Sequence, residues 1–330
     1  MQKIDLTKSK DVIGAYESID FSYERKTYTD YGTQYCFNVL DGKIVAGYNI
    51  QLACFRHLRD LQRQGSEDFP YVYSVEAFNR FLKFLSLVPN VDDLSQKLEP
   101  MDWQYFIFAQ LFAWFDLDDV PRFSNIIISI ARSQGKTMIA GICLNFSYLI
   151  EIIGQSNQDF LVSSLNFDQT MKLFTYVKSM MARIIENEPF KSLADETQVQ
   201  LYSREIKSLV DANTIHTISF ESGKFDGKHF KLAVADEVGE LRTDEGISKI
   251  TSGQVNTEGS RFIEISTSYQ TPDVPFHQEQ KKLIEIMERD FDRSGDDQLC
   301  LIWSQDNLEE VFKPETWAKS NPLLNHPKLK

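Results

Sequence analysis

The sequence has few cysteines and no long apolar run, and these absences exclude several classes of protein. Its four cysteines follow no spacing typical of a zinc site or a disulfide framework, so we expect reduced thiols in a cytosolic chain. The five histidines are scattered and suggest no metal cluster. No apolar stretch reaches the roughly 20 residues of a transmembrane helix, and the first residues do not have the pattern of a signal peptide. We therefore expect no association with a membrane.

The sequence also lacks an excess of positive charge. It has 35 Lys and Arg against 48 Asp and Glu, which gives a formal net charge of −13 at pH 7. A free-standing DNA-binding protein is usually basic, because phosphate contacts dominate its affinity. The composition therefore argues against tight DNA binding by charge alone, although a few basic residues lining a ring can still grip DNA.

A β-branched run at residues 126–130 leads directly into Gly135, Lys136 and Thr137, and an apolar segment typical of a helix follows. This strand–loop–helix context predicts a phosphate-binding loop. Backbone N–H groups at the helix N-terminus would surround the phosphates, Lys136 would reach the β- and γ-phosphates, and Thr137 would hold Mg²⁺. The common pattern has a glycine five residues before Gly135, where this chain has Ile130.

A second motif lies about a hundred residues later. The predicted strand 231–235 ends in two adjacent carboxylates, Asp236 and Glu237. Nucleotide hydrolysis needs both groups: we expect Asp236 to hold Mg²⁺ and Glu237 to activate the attacking water as general base. Finding this pair downstream of a Lys-Thr loop strengthens both assignments.

A third segment, residues 261–268, is predicted to be a strand that ends in the hydroxyl residues Ser266, Thr267 and Ser268. Hydroxyl groups at a strand end can form hydrogen bonds with a γ-phosphate or with a neighbouring loop. Taken alone, the same pattern is more typical of a strand capped by a polar turn.

These three motifs together resemble the ATPase region of a tailed-bacteriophage terminase large subunit, the motor that drives DNA into a procapsid. The loop 131–137 is similar to that family's variant phosphate loop, which commonly lacks the first glycine and carries an arginine, here Arg132. Asp236 and Glu237 resemble the family's acidic motif, and residues 266–268 resemble its coupling motif. The resemblance extends over most of the chain from about residue 39.

The resemblance also implies roles for individual residues. Gln104 is the candidate for adenine recognition, and the alternative is an exposed glutamine at a helix start. Arg132 is expected to sense the γ-phosphate, and Arg183 and Arg204 are both candidates for an arginine finger. The nucleotide-binding set is Gln104, Arg132, Ser133, Gln134, Gly135, Lys136 and Thr137, and the catalytic set is Glu237, Lys136 and Arg132.

Alternating strand and helix patterns predict an α/β fold with a mainly parallel sheet and helices on both faces. With Glu237 as base, this pattern favours a P-loop NTPase of the additional-strand, catalytic-glutamate class. We expect four segments: an N-terminal arm (1–38), a small helical lid subdomain (39–97), the P-loop ATPase core (98–290), and a C-terminal segment (291–330) that leads toward an absent nuclease domain.

The implied function is Mg²⁺-dependent ATP hydrolysis that powers translocation of viral double-stranded DNA. The implied partners are the portal protein and the small terminase subunit. The chain is expected to form a homo-oligomeric ring on the procapsid and to be a monomer in isolation. The implied location is the cytoplasm of the infected bacterium. No nuclease activity is expected in these residues. Two alternatives remain open: another nucleic-acid-dependent ATPase such as a helicase-like motor, and a non-catalytic nucleotide-binding adaptor in which Ile130 marks a decayed loop.

Overall fold

A computed structural model describes residues 2–93, 96–269, 271 and 273–325. In chain order its α-helices are α1 (Val12–Glu17), α2 (Ser22–Thr27), α3 (Tyr31–Leu40), α4 (Tyr48–Arg63), α5 (Val75–Leu85), α6 (Asp102–Ala113), α7 (Lys136–Phe146), α8 (Phe167–Ile184), α9 (Phe190–Thr197), α10 (Glu245–Gln254) and α11 (Pro275–Glu288). Its strands are β1 (Tyr71–Tyr73), β2 (Trp114–Asp116), β3 (Asn125–Ser129), β4 (Asp159–Ser163), β5 (Val199–Leu201), β6 (Glu205–Ser208), β7 (Thr214–Thr217), β8 (Phe230–Asp236), β9 (Arg261–Ser266) and β10 (Gln298–Ile302). Within the described part of the chain, every helix is too short or too polar to cross a bilayer.

The chain divides into two compact units, each built from separate stretches of sequence. The first unit consists of the described residues within Met1–Asn79, Pro100–Gln134 and His277–Lys330. The second unit consists of those within Arg80–Glu99 and Gly135–Phe276. The predicted limits of the arm, lid, core and C-terminal segment remain predictions.

The expected N-terminal arm is a packed part of the first unit and not a loosely held segment. Residues 12–40 form α1, α2 and α3, and α3 packs against both α4 and α6. Val12, Phe21 and Phe37 are buried. Many of the apolar residues here are aromatic, and they lie on short helices that show no long periodic pattern. For this reason no packed core was predicted from the sequence in this segment.

A buried histidine lies at the centre of the first unit. The ring of His57 accepts at Nδ1 from the side-chain amide of Gln110 at 2.9 Å and from Trp114 Nε1 at 3.4 Å. Nε2 lies 3.0 Å from Thr33 Oγ1, which leaves the ring neutral with its proton on Nε2. Burial lowers the pKa of His57 to about 4, because the charged ring would lose its hydration.

The second unit contains a six-stranded sheet in the order β9-β8-β4-β7-β6-β5. The pairs from β9 to β7 are parallel, and β6 and β5 add an antiparallel hairpin. Nearly all of β8 and the whole of β9 are buried, as expected for parallel strands covered on both faces. In the first unit, β3 pairs in parallel with β10. The prediction of an α/β fold with a mainly parallel sheet is therefore confirmed.

The short strands β5 and β6 were not predicted from the sequence. Both strands contain charged or amide side chains and are only three or four residues long, so they lack the apolar alternation by which a strand is recognised. The more detailed assignment to the additional-strand class remains a prediction.

The neutral state of His57 predicts a specific acid sensitivity. The unfolded chain takes up a proton on this ring near its ordinary pKa of 6.5, whereas the folded chain does so only near 4, so stability is lost as the pH falls through this window. We expect His57 to account for about 2 kcal/mol of the stability lost between pH 7.5 and pH 5. Denaturant unfolding of wild type and His57→Gln across this range measures the difference. The variant should be less stable at pH 7.5 but should have a shallower pH slope, and equal slopes would contradict the prediction.

Candidate nucleotide-binding site

The loop between β3 and α7 has the backbone conformation that its sequence predicts. Gly135 is the N-cap of α7 and has a left-handed backbone with φ of 79°, which glycine adopts without strain. Ser133 is also left-handed, with φ of 61°. Ile130 is buried, and it is not among the described residues with positive φ. Position 130 therefore needs no glycine, which explains how the loop forms without the common first glycine.

The first turn of α7 is suited to an anion. No side-chain hydrogen bond caps its N-terminus, and the positive end of the helix dipole faces the loop. Lys136 and Thr137 both lie in this turn. The lysine is only 8% exposed, so its charge interacts more strongly with a nearby anion than it would in bulk water.

The second unit brings Lys136 together with the acidic motif. Nζ of Lys136 lies 3.8 Å from Oε1 of Glu237. Glu237 follows the last residue of β8 and has a left-handed backbone with φ of 59°, an uncommon conformation for a residue with a side chain. Strained conformations of this kind are concentrated at functional sites.

Asp236 is the other carboxylate of the motif, and it is partly buried. The pKa of Asp236 is raised to about 6, mainly by burial and also by the charge of Glu237, and Lys136 opposes both effects. Its Oδ1 accepts from the backbone N–H of Glu237 at 3.0 Å, and its carbonyl oxygen accepts from Ser164 Oγ at 3.1 Å. A buried carboxylate that resists ionisation is a favourable partner for a cation.

The donor set fits a magnesium ion shared with substrate phosphates. Mg²⁺ usually takes one or two protein ligands and completes its shell with phosphate oxygens and waters. The Thr137 hydroxyl and the Asp236 carboxylate are ligands of this kind. Within the described ranges there is no group of three or more His, Cys, Asp or Glu side chains that could hold a metal ion.

The hydroxyl residues after β9 contact the acidic motif. In the parallel pairing of β8 with β9, Asp236 lies opposite Ile265, so both strands end at the same edge. Ser266 Oγ accepts from the backbone N–H of Gly239 at 2.9 Å, and Thr267 Oγ1 donates to Glu237 Oε2 at 3.3 Å. Ser266 and Thr267 of the predicted coupling motif therefore form hydrogen bonds with Glu237 and with the turn that follows it.

Tyr269 belongs to the same site and was missed by the sequence analysis. Its hydroxyl donates to Glu237 Oε2 at 2.5 Å. An aromatic residue directly after a run of hydroxyl residues is the sole sequence signal, and it does not indicate which group the phenol meets.

Gln104 and Gln134 lie in the first unit, and both side chains are buried. Gln104 Oε1 accepts from the backbone N–H of Met101 at 2.9 Å, which caps α6, so the alternative of an exposed glutamine is wrong. Gln134 Oε1 accepts from the backbone N–H of Leu323 at 3.1 Å. Arg132 and Ser133, which precede Gln134 in the loop, are exposed.

The two candidate arginine fingers have local partners. Arg183 pairs with Glu186 one helical turn away at 3.2 Å, and both side chains are largely exposed. The guanidinium of Arg204 lies 5.0 Å from the ring centre of Phe167. An exposed ion pair is weak, so Arg183 remains available to another partner.

Comparison with known proteins gives one family. The model of the family described as "Terminase large subunit, ATPase domain" matches residues 102–283, more than half of the chain. No curated protein is similar enough to be matched to the chain.

Two solved structures share the fold. The HK97 bacteriophage large terminase is 19% identical, with a TM-score of 0.59, over 75% of this chain and 48% of its own. A variant of a Thermus phage large terminase ATPase domain is 13% identical, with a TM-score of 0.51, over 78% of this chain and 96% of its own. This chain thus spans about half the length of the HK97 protein.

The raised pKa of Asp236 predicts that removing its charge stabilises the protein at high pH. The folded chain binds this proton more tightly than the unfolded chain, so ionisation destabilises the fold as the pH rises from about 4 through about 6. We expect Asp236→Asn to gain roughly 1–2 kcal/mol more relative to wild type at pH 8 than at pH 5. Denaturant unfolding at both values measures this, with the exposed Asp118→Asn as control. An equal gain at both pH values would contradict the prediction.

Proposed function

Because the chain belongs to the terminase large subunit ATPase domain family, we propose that it hydrolyses ATP to move viral double-stranded DNA into a procapsid. The observation that carries the catalytic part is the approach of Lys136 to Glu237, at the start of the helix that follows the phosphate loop. This arrangement provides a cation for the transferring phosphate and a carboxylate for the attacking water in one place.

The proposed roles follow from the position and chemistry of each residue. Backbone N–H groups from Ser133 to Thr137 bind the phosphates, and Lys136 neutralises charge that develops on the γ-phosphate. Glu237 orients the water and accepts its proton. Arg132, exposed in the loop, senses the γ-phosphate.

Thr137 and Asp236 are the proposed magnesium ligands. When bound, Mg²⁺ supplies charge neutralisation at the phosphate oxygens. The buried carboxylate of Asp236 favours this role, because a cation offsets the cost of ionising it in the site.

The proposal also includes adenine recognition and an arginine finger. With Oε1 of Gln104 accepting from Met101, its amide N–H₂ is the group proposed to bind the base. Arg183 and Arg204 both stay as candidates for a finger supplied in cis or by a neighbouring subunit, which is worth about 10³-fold or more in rate in related chemistry.

We further propose a homo-oligomeric ring on the procapsid, assembled with the portal protein and the small terminase subunit in the cytoplasm of the infected bacterium. The net charge of −13 argues against tight DNA binding by the isolated chain, so contact with DNA is proposed through a few basic groups that line such a ring. No nuclease activity is assigned to these residues.

Lys136→Ala tests the phosphate loop. Loss of a charge-assisted contact with phosphate should weaken ATP binding about 10- to 100-fold. Equilibrium titration with a fluorescent ATP analogue measures the affinity. Lys172→Ala, which removes an exposed lysine from α8, should leave it unchanged. Wild-type affinity in Lys136→Ala would exclude the phosphate-loop assignment.

Glu237→Ala tests the general base. We expect ATP binding to persist while steady-state hydrolysis falls about 10²- to 10⁴-fold, because proton transfer from the water is lost. Glu240→Ala, which removes an exposed carboxylate from the same turn, is the matched control and should keep wild-type turnover.

Measuring the rate against protein concentration extends this test to the ring. A rate per subunit that rises with concentration supports a site completed by a neighbour, whereas a constant rate favours an arginine in cis.

Turnover in Glu237→Ala at the wild-type level would remove this residue as base. Strand separation of a duplex would favour a helicase-like motor, and ATP binding without turnover under any condition would favour the adaptor.

A further inference from the structure

The carboxylate of Glu237 is held on two sides by different parts of the second unit. Its Oε1 faces Lys136 Nζ at 3.8 Å. Its Oε2 accepts from Tyr269 Oη at 2.5 Å and from Thr267 Oγ1 at 3.3 Å. Of the two contacts at Oε2, the hydrogen bond from the phenol is the shorter. It fixes Oε2, whereas Lys136 is paired with Oε1.

The backbone of Glu237 is fixed as tightly as its side chain. Its N–H donates to the carbonyl oxygen of Ile265 at 2.9 Å, and its φ of 59° is left-handed. A left-handed conformation is uncommon for a residue with a Cβ, so it persists only where surrounding contacts determine it. Ile265 and Ser266, the last residues of β9, supply contacts of this kind to the backbone of Glu237 and of Gly239.

A close approach at Gly239 places the tyrosine. A Cβ added at Gly239 would lie 2.8 Å from Ser266 Oγ and 3.1 Å from Tyr269 Cδ2. The turn after Glu237 and the segment after β9 therefore touch without room for a side chain. The ring of Tyr269 rests against this turn, which directs its hydroxyl to the carboxylate.

We infer that Tyr269 is a positioning residue for Glu237. We define the coupling segment as residues Ser266–Tyr269. Through the phenol, this segment sets the direction of the carboxylate that acts on the attacking water, so a movement of the segment changes hydrolysis by releasing the base. The inference rests on the proposed function of Glu237 as general base. It adds a route from the coupling segment to catalysis that does not pass through the phosphate.

Tyr269→Phe is the direct test, because it removes the hydroxyl and keeps the ring against Gly239. We expect kcat to fall about tenfold or more, since a hydrogen bond to a charged group is lost, while the affinity for ATP stays within twofold. Thr267→Val should have a smaller effect, in keeping with its longer contact. Tyr202→Phe, which removes an exposed phenol from the same unit, is the control and should not change kcat.

A second measurement does not depend on turnover. Thermal denaturation of wild type, Tyr269→Phe, Glu237→Ala and the double variant forms a double-mutant cycle. If the hydrogen bond exists in solution, Tyr269→Phe lowers the midpoint in wild type and has little effect in the Glu237→Ala background. Additive midpoints would mean that the two side chains do not interact, which overturns the inference even if no turnover is observed.

The outcomes separate this inference from the proposed function. Wild-type turnover in Glu237→Ala would remove the base itself and with it the role of Tyr269. An inactive Glu237→Ala with a fully active Tyr269→Phe would overturn only the positioning role. Parallel losses of kcat and ATP affinity in Tyr269→Phe would assign the phenol to nucleotide binding, which also contradicts the inference.

Discussion

The candidate site depends on the parallel pairing of β8 with β9. This pairing sets Asp236 opposite Ile265, so the acidic motif and the coupling segment leave the sheet at one edge. In a parallel sheet the carboxyl ends of the strands are where ligands bind. A shift of the register by one residue would turn every side chain to the opposite face and would separate Glu237 from Thr267 and Tyr269.

The same edge concentrates groups that are unfavourable in isolation. Lys136 is nearly buried, the pKa of Asp236 is raised mainly by burial, and Glu237 has a left-handed backbone. Each feature lowers the stability of the fold, and each is useful for binding phosphate, a cation or a water molecule. The hydrogen bonds from Tyr269 and Thr267 partly offset that cost by holding Glu237 in one arrangement.

Buried polar contacts have a different function in the first unit. His57 is neutral and satisfied by Thr33 and Gln110, so it belongs to the core and has no chemical role assigned to it. Gln104 has a structural contact of the same kind, since its side chain caps α6. Its proposed contact with adenine would use the other half of the same amide group.

Local patterns in the sequence were sufficient to predict the strands β3, β8 and β9 and to locate the Lys-Thr loop and the two carboxylates at the end of β8. Apolar β-branched runs and the residues that end them are neighbours in the chain, so their chemistry can be read directly. The buried Ile130, the helices of residues 12–40 and the short strands β5 and β6 needed the structure, because tertiary packing decides them. The same is true of the bond from Tyr269 to Glu237. These residues are 32 positions apart, and strand register and the close approach at Gly239, which local patterns do not encode, bring them together.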